Sequence, residues 1–552
     1  MKRITTLVLF LVGIALTSQA QTPYQEMPVL HPESCTSIMV GKKASTDGSV
    51  ITSHTCDSYY RTWLNVEPGL TYDKDTTLNI YQDRLHTEFS SDATGLKFKG
   101  TIPQARTTFS FLDTAYPCLN EKQLGIGETT ISGRKELVNP KGMFMIEELA
   151  KVALQRCTTA RQAITLMGEL IEKYGYSDWG ECLTIADPQE VWIFEVFGEG
   201  KENIGGVWAA VRIPDEEVSV SANISRISTL SLKDKNNYMA SKNVFDVARK
   251  LGFWDGKEPF KFWKAYSGGN YFGEKKSFSL REFFVLTTLA PSLKLSYEAE
   301  ELPLSVKPEK PVSVSDVSKL LRQTYEGTPW DVTQNLKVPV KQKGSEKTDT
   351  IVSPVANPWM TRDMMALLNS LRKDAVPNNR NIAVPQCSYS TVIQLRSWLP
   401  DAIGGIAWFA FDNPGQSPRI PIFCGVNELP ASFGICGQHR YREDAAVWPY
   451  RRANKLATVK WGTTRKVLEK HLSYFDQKAA RELPFVEKQY AEIQKEQGTE
   501  AAQAFLNGYS ADYAGATQLR WQEMGDQFWH DFQKGFQQTI IIHTHPCKYI
   551  PL

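Results

Sequence analysis

Apolar residues fall into short β-type runs through the first part of the chain. The run 36–40 has strand composition, Asp47-Gly48 is a hairpin turn signal, and 50–54 returns as a second strand. A less readable stretch, 58–111, precedes another strand at 124–130. The period then changes. Ile146, Leu149, Ala150, Ala153 and Leu154 recur at helical spacing, as do Ala163, Leu166, Met167, Leu170 and Ile171, which predicts two amphipathic helices broken at Cys157 with Thr158 or Thr159 as a cap. Short strands follow at 183–186, 191–197, 207–211 and 218–222, with Asp187-Pro188 and Pro214-Asp215 as turns.

Residues 191–196 are apolar at nearly consecutive positions, the pattern of a strand covered on both faces. A strand pair, helices and further strands predict a layered α/β (α+β) architecture in which helices cover antiparallel sheets. Between 298 and 347 the chain is rich in Pro, Lys and Glu and reads as exposed loops around a short helix at 313–322. Strand signals return at 390–395 and 406–411, with Asp412-Asn413-Pro414-Gly415 as a turn. Beyond Asp444 the pattern is helical to about 536, and 539–543 reads as a final strand. Trp521, Phe528, Trp529 and Phe532 have the spacing of core aromatics. Gly268-Gly269-Asn270 is a turn; no strand-to-helix context with a lysine makes it a phosphate loop.

Lys2-Arg3, an apolar run to Leu16 and Ser18-Gln19-Ala20 have the three-part form of a secretory signal, so residues 1–20 are expected to be removed and the protein exported, to the periplasm or outside the cell. No later stretch is long and apolar enough to span a bilayer. The formal net charge of +2 gives no pull toward nucleic acid. Residues 21–34 contain three prolines and read as a pro-segment or a mobile arm. Nine cysteines are spread widely; bridges and buried small hydrophobes are equally compatible with them.

A cysteine opening a strand, followed by a hairpin whose second strand ends in polar residues, suits an enzyme whose nucleophile is its own N-terminus. A freed N-terminal cysteine carries a thiol and an α-amino group with a pKa of about 7.7 to 8, so one residue supplies nucleophile and base. Cys35 is that candidate. Cys56 shares a strand face with His54 but is not placed to become terminal, and Cys182 has only Glu181 as a local charge, so both read as structural. His543-Thr544-His545-Pro546-Cys547 is the one metal-like cluster, and it is incomplete for zinc; no metal and no cofactor is expected.

Cys35-Thr36, the run 40–45 and Asp47-Gly48-Ser49 resemble the opening signature of the bacterial cysteine dipeptidases of the dipeptidase A type, to which the secernins are related. The likeness continues in Asn120-Glu121-Lys122, in 125–130, in Gly180-Glu181 with Ala186-Asp187 and Glu190-Val191-Trp192, and in 208–215 leading to Ala222-Asn223. It implies an αββα sandwich of the N-terminal-nucleophile type over 35–437, followed by a mostly helical region, 438–552. It also implies hydrolysis of dipeptides through a cysteine thioester, small peptides as partners and no metal, and it leaves homo-oligomerisation open. Carried over by position, Cys35 matches the nucleophile, Asp57 the acid that holds the α-amino group, and Asn223 the asparagine that lines the oxyanion hole. His54 departs from the family, whose members usually carry arginine there, so a fixed cation beside the thiol is missing. Arg396 or Arg226 could supply it, and Glu128 or Glu181 could meet a substrate ammonium. Kinship extends to bile-salt hydrolases and penicillin V acylases, so an acylase acting on non-peptide amides and a non-catalytic binding protein of the same fold are the alternatives.

Overall fold

The computed structural model describes residues 34–88, 94–269, 275–342 and 344–533. The expected signal sequence, the expected pro-segment up to residue 33, the strand at 539–543 and the cluster around His543 lie outside them. Two antiparallel sheets form the centre. The first orders its strands Ser305–Val306, Val218–Ser221, Ser37–Val40, Val50–Asp57, Cys387–Leu395, Gly405–Phe411 and Ile420–Phe423. The second runs Tyr238–Ala240, Gly206–Ile213, Val191–Gly198, Glu181–Ala186, Gly125–Thr130, Leu119–Asn120, Phe111–Asp113 and Asn65–Glu67.

The sheets stack through Val50–Asp57, which packs on Gly125–Thr130 and Glu181–Ala186. Glycine makes this approach close enough: a Cβ on Gly127 would lie 2.3 Å from the Ser53 carbonyl oxygen and 2.5 Å from Thr184 Oγ1. Helices Ile146–Arg156 and Ala160–Tyr174 are joined at Cys157, and Ala160–Tyr174 packs on the far face of the second sheet, the Thr159 side chain accepting from the Gln162 amide at its start. Leu280–Leu289, Val314–Leu321, Val447–Ala457 and Thr499–Gln533 pack on the first sheet, which completes a helix–sheet–sheet–helix arrangement. The strand Val191–Gly198 is buried at every position, as its unbroken apolar run requires. Each large apolar side chain so enclosed contributes about 1.5–3 kcal/mol.

Several elements differ from expectation. Among the described residues, 58–111 hold three short strands, of which Thr77–Gln82 and Lys97–Pro103 form a separate two-stranded sheet with largely exposed or half-buried side chains. Ile420–Phe423 is an unanticipated edge strand, where Pro421 costs no ladder bond on the open side. The lysine-rich loop near 341 is the tip of an exposed hairpin, Lys337–Lys341 with Thr348–Val352. Trp529 is 61% exposed, unlike Trp521 and Phe528, because it sits about one residue's rotation off the buried helix face. All eight described cysteines are free and buried.

Candidate active site

The hairpin that carries Cys35 is closed by side chains as well as backbone. Ser53 Oγ accepts from the Ile38 amide at 2.7 Å and donates to the Ile38 carbonyl at 3.1 Å. Thr55 Oγ1 accepts from the Thr36 amide at 2.9 Å and donates to Asp57 Oδ2 at 2.8 Å. These hydroxyls fix the spacing of the two strands beside Cys35. The chain is continuous through the Ser34–Cys35 bond, and Ser34 extends the ladder: its amide donates to the Asp57 carbonyl at 3.2 Å, and its carbonyl accepts from the Asp57 amide at 3.0 Å.

Cys35 is fully buried. Its amide donates to Asn223 Oδ1 at 2.8 Å, while Asn223 Nδ2 donates to the Thr130 carbonyl at 2.7 Å, so donor and acceptor together fix the orientation of the amide. Asn223 has φ 64°, in the left-handed region that asparagine tolerates better than most residues. The segment before it is held by the helix Leu280–Leu289: Glu282 Oε1 accepts from the Ala222 amide at 2.9 Å, and Arg281 Nη2 donates to the Ala222 carbonyl at 2.9 Å. Arg281 Nη1 donates to the Cys35 carbonyl at 2.6 Å. One guanidinium therefore ties the Cys35 strand to the Asn223 turn.

Burial pushes the Cys35 thiol well above its usual range, with the Glu128 carboxylate adding to the effect. His54 does not counter this. Its Nδ1 lies 2.7 Å from the Glu128 carbonyl oxygen, its ring meets Tyr116 and Tyr389, and burial holds its pKa down to about 4, so the imidazole is neutral at pH 7. Glu128 and Glu181 are both buried, and burial, followed by the neighbouring Glu128 charge, pushes the Glu181 carboxyl well up. The two carboxyls are hydrogen-bonded neighbours in the buried cluster rather than solvated side chains. Cys35, His54 and Glu128 bring three donor atoms within 4.8 Å of one another, and among the described residues these are the groups that could hold a metal ion.

Arg396 and Arg226 are not brought to this cluster, which corrects the expectation that either supplies its positive charge. Arg396 pairs with Glu487 and donates through Nε to the Gly404 carbonyl, and Arg226 donates to the Ser277 and Pro303 carbonyls. The cations at the site are Arg281 and Arg380, both missed from sequence. Arg380 Nη2 donates to Asp57 Oδ2 at 2.8 Å and to Ser34 Oγ at 2.6 Å. Arg281 left a faint signal, a cation in the first turn of a helix, where the dipole disfavours it. Arg380 sits in irregular chain and left none. Asp57 is fully buried, and its Oδ1 has no hydrogen-bond partner.

The chemistry this cluster permits is nucleophilic: a thiol at the head of a strand, its own nitrogen held by a side-chain oxygen, and a buried carboxylate with an open acceptor. Residues 34–473 match Peptidase family C69. Among curated proteins, the chain is 24% identical over 417 residues to a "Probable dipeptidase" of Latilactobacillus sakei, covering 72% of this chain and 76% of that protein. It is 26% identical over 415 residues to a "Probable dipeptidase" of Salmonella dublin, covering 71% and 81%. It is 22% identical over 443 residues to a "Probable dipeptidase B" of Streptococcus pyogenes serotype M1, covering 77% and 79%.

Proposed function

The chain belongs to peptidase family C69 and is a cysteine-type peptidase, and on that premise we propose that it is an exported dipeptidase whose nucleophile is Cys35 after the bond to Ser34 is cut. The observation that carries the reading is the hold on the Cys35 nitrogen. Asn223 Oδ1 accepts from it at 2.8 Å, and Asp57 Oδ1 is a buried acceptor without a partner in the same hairpin. Once that nitrogen is a terminal amine it has more protons to donate, and these two oxygens are the acceptors that suit it. The names of the relatives support dipeptides as the substrate class. The sequence at 1–20 supports export. No helix among the described residues is long and apolar enough to cross a membrane.

In this mechanism the α-amino group takes the thiol proton as sulfur attacks the substrate's peptide carbonyl. The second Nδ2 proton of Asn223, not used by Thr130, is the side-chain donor for the oxyanion. The carbon–nitrogen bond breaks, the departing amine takes the proton back, and the acyl group remains as a thioester on Cys35. Water, deprotonated by the same amine, then hydrolyses the thioester. His54 stays neutral throughout, and Arg281 and Arg380 hold the strand and Asp57 in place.

N-terminal sequencing of the secreted protein tests the reading, together with assays of dipeptides, longer peptides and acyl-amino acids. A Cys35 terminus with cleavage restricted to dipeptides is expected, and Cys35→Ala is expected to be inactive. A stable terminus upstream of Cys35 with full activity would falsify the nucleophile. Preferential turnover of acyl-amino acids would overturn the substrate class.

A further inference from the structure

A cavity of about 720 Å³ lies between the first sheet and the helices Val314–Leu321 and Trp461–Gln497. Gln394 and Trp408 line it from the sheet. Gln394 is cross-strand from Ile51 and Trp408 from Val392, whereas His54 is cross-strand from Thr391. Side chains alternate between faces along a strand, so the cavity and His54 are on opposite faces of the sheet. The cavity is therefore not the nucleophile's site.

Its wall carries the cations Lys319, Arg322, Arg419 and Arg465 and the acids Asp47, Glu326, Glu469 and Asp476, and among the described residues ion pairs account for every one of these cations but Arg419. Arg322 pairs with Asp476, Lys319 with Asp316, and Arg465 with Glu326 and Glu469. Arg419 also lines the cavity and is only 4% exposed, yet no carboxylate lies within ion-pairing distance of it among the described residues. Its Nη1 donates to the Trp408 carbonyl at 3.2 Å, while Nε and Nη2 are buried without partners. Burial, helped by Arg322, lowers its pKa to about 9, which still leaves it charged at pH 7. A buried cation with two idle donors is costly unless something pairs with it.

Three tryptophans give the otherwise largely polar wall its aromatic surface. Trp359 and Trp461 meet edge to face with centroids 4.8 Å apart. The indole N–H groups of Trp359, Trp408 and Trp461 are committed to the Ala383 carbonyl, Gln394 and Glu326, so the three rings offer apolar surface rather than donors. The volume is in the range of small-molecule pockets.

The geometry points to a second binding site, centred on Arg419, for a small organic carboxylate whose apolar body lies among Trp359, Trp408 and Trp461. This site does not depend on the dipeptidase reading. Its nitrogen pair, Nε and Nη2, matches the two oxygens of a carboxylate once the side chain turns to present these enclosed atoms to the cavity, and the indoles favour a flat apolar group over a hydrated inorganic anion.

Calorimetric titration of the purified full chain with phenylacetate, sulfate and benzylamine tests it, on the wild type, Arg419→Met, Arg419→Lys and Trp461→Leu. Phenylacetate is expected to bind the wild type with a Kd of a millimolar or below, at least tenfold more weakly to Arg419→Met, and with most of the affinity kept in Arg419→Lys. Trp461→Leu is expected to weaken phenylacetate several-fold, and benzylamine is expected not to bind. Equal phenylacetate affinity in the wild type and a folded Arg419→Met would overturn the proposal. So would sulfate binding at Arg419 with phenylacetate silent, since an inorganic oxyanion would then be the ligand. If Arg419→Met does not fold, Trp461→Leu and Arg419→Lys decide the matter instead: no change in the first, or no phenylacetate binding in the wild type, refutes the site.

Discussion

Replacing His54 by asparagine should remove an acid sensitivity that can be sized in advance. Burial is the largest cause of the low His54 pKa, about 4 against an ordinary 6.5, with the Glu128 backbone contact and the Asp57 charge acting the other way. The folded protein thus keeps this ring neutral while the unfolded chain protonates it. The unfolded state binds more protons between these two values, so the His54 contribution is complete above pH 6.5 and is lost as pH falls toward 4. Going from pH 7 to pH 5 crosses about 1.5 units below the unfolded value, worth about 2 kcal/mol at 1.36 kcal/mol per unit. Urea unfolding of a Cys35→Ala host, with and without His54→Asn, at pH 7, 6 and 5 measures it, since comparing the two cancels the other titrating groups. The host should lose about 2 kcal/mol more than the double variant over that range. Parallel loss in the two proteins would show that His54 is not held neutral by burial, and would return a charged ring to the neighbourhood of the thiol.

Asn223→Ala should lower kcat by about 10²–10³ if its free Nδ2 proton serves the oxyanion, measured on a dipeptide after the N-terminus has been verified. Tyr389→Phe should destabilise the fold by about 1–3 kcal/mol in urea, because Tyr389 Oη is the acceptor for the buried Tyr116 amide at 3.0 Å. Glu181→Gln should raise the urea midpoint at pH 8 and leave it unchanged at pH 4. The raised Glu181 pKa keeps a proton in the folded state that the unfolded chain releases above about pH 4.5, so the wild type loses stability as pH rises and the neutral glutamine does not.

The strands and helices that build the two layers were legible because each buries one face or both, leaving period two, period 3.6 or an unbroken apolar run. The Asp47-Gly48 turn was legible from its chemistry: Gly48 has φ 83°, and Asp47 Oδ1 accepts from the Ser49 amide. The sheet of Thr77–Gln82 and Lys97–Pro103 was not, since side chains that face water carry no period. Ile420–Phe423 was hidden by Pro421, which argues against a central strand and is silent about an edge. The grouping of Cys35 with Asp57 and Asn223 came from the resemblance to the cysteine dipeptidases, and neither that resemblance nor the residue pattern identified the cations. Arg281 reaches a carbonyl 246 residues away and Arg380 a hydroxyl 346 residues away, and long flexible side chains leave no local pattern to mark such reach.

The antiparallel bridge between Ser34 and Asp57 bears on who could cut the chain there. A separate protease must draw several residues of its target, extended and unpaired, into its own cleft. Here both backbone groups of Ser34 are already spoken for, and Cys35 is shielded from any visiting enzyme. On the proposed mechanism, a cut at this bond in the folded protein is expected to come from within the same molecule, as a first-order event with a half-time that dilution does not change. Maturation that instead accelerates with protein concentration, or with an added peptidase, would mean that this end of the strand peels away from the sheet before it is severed.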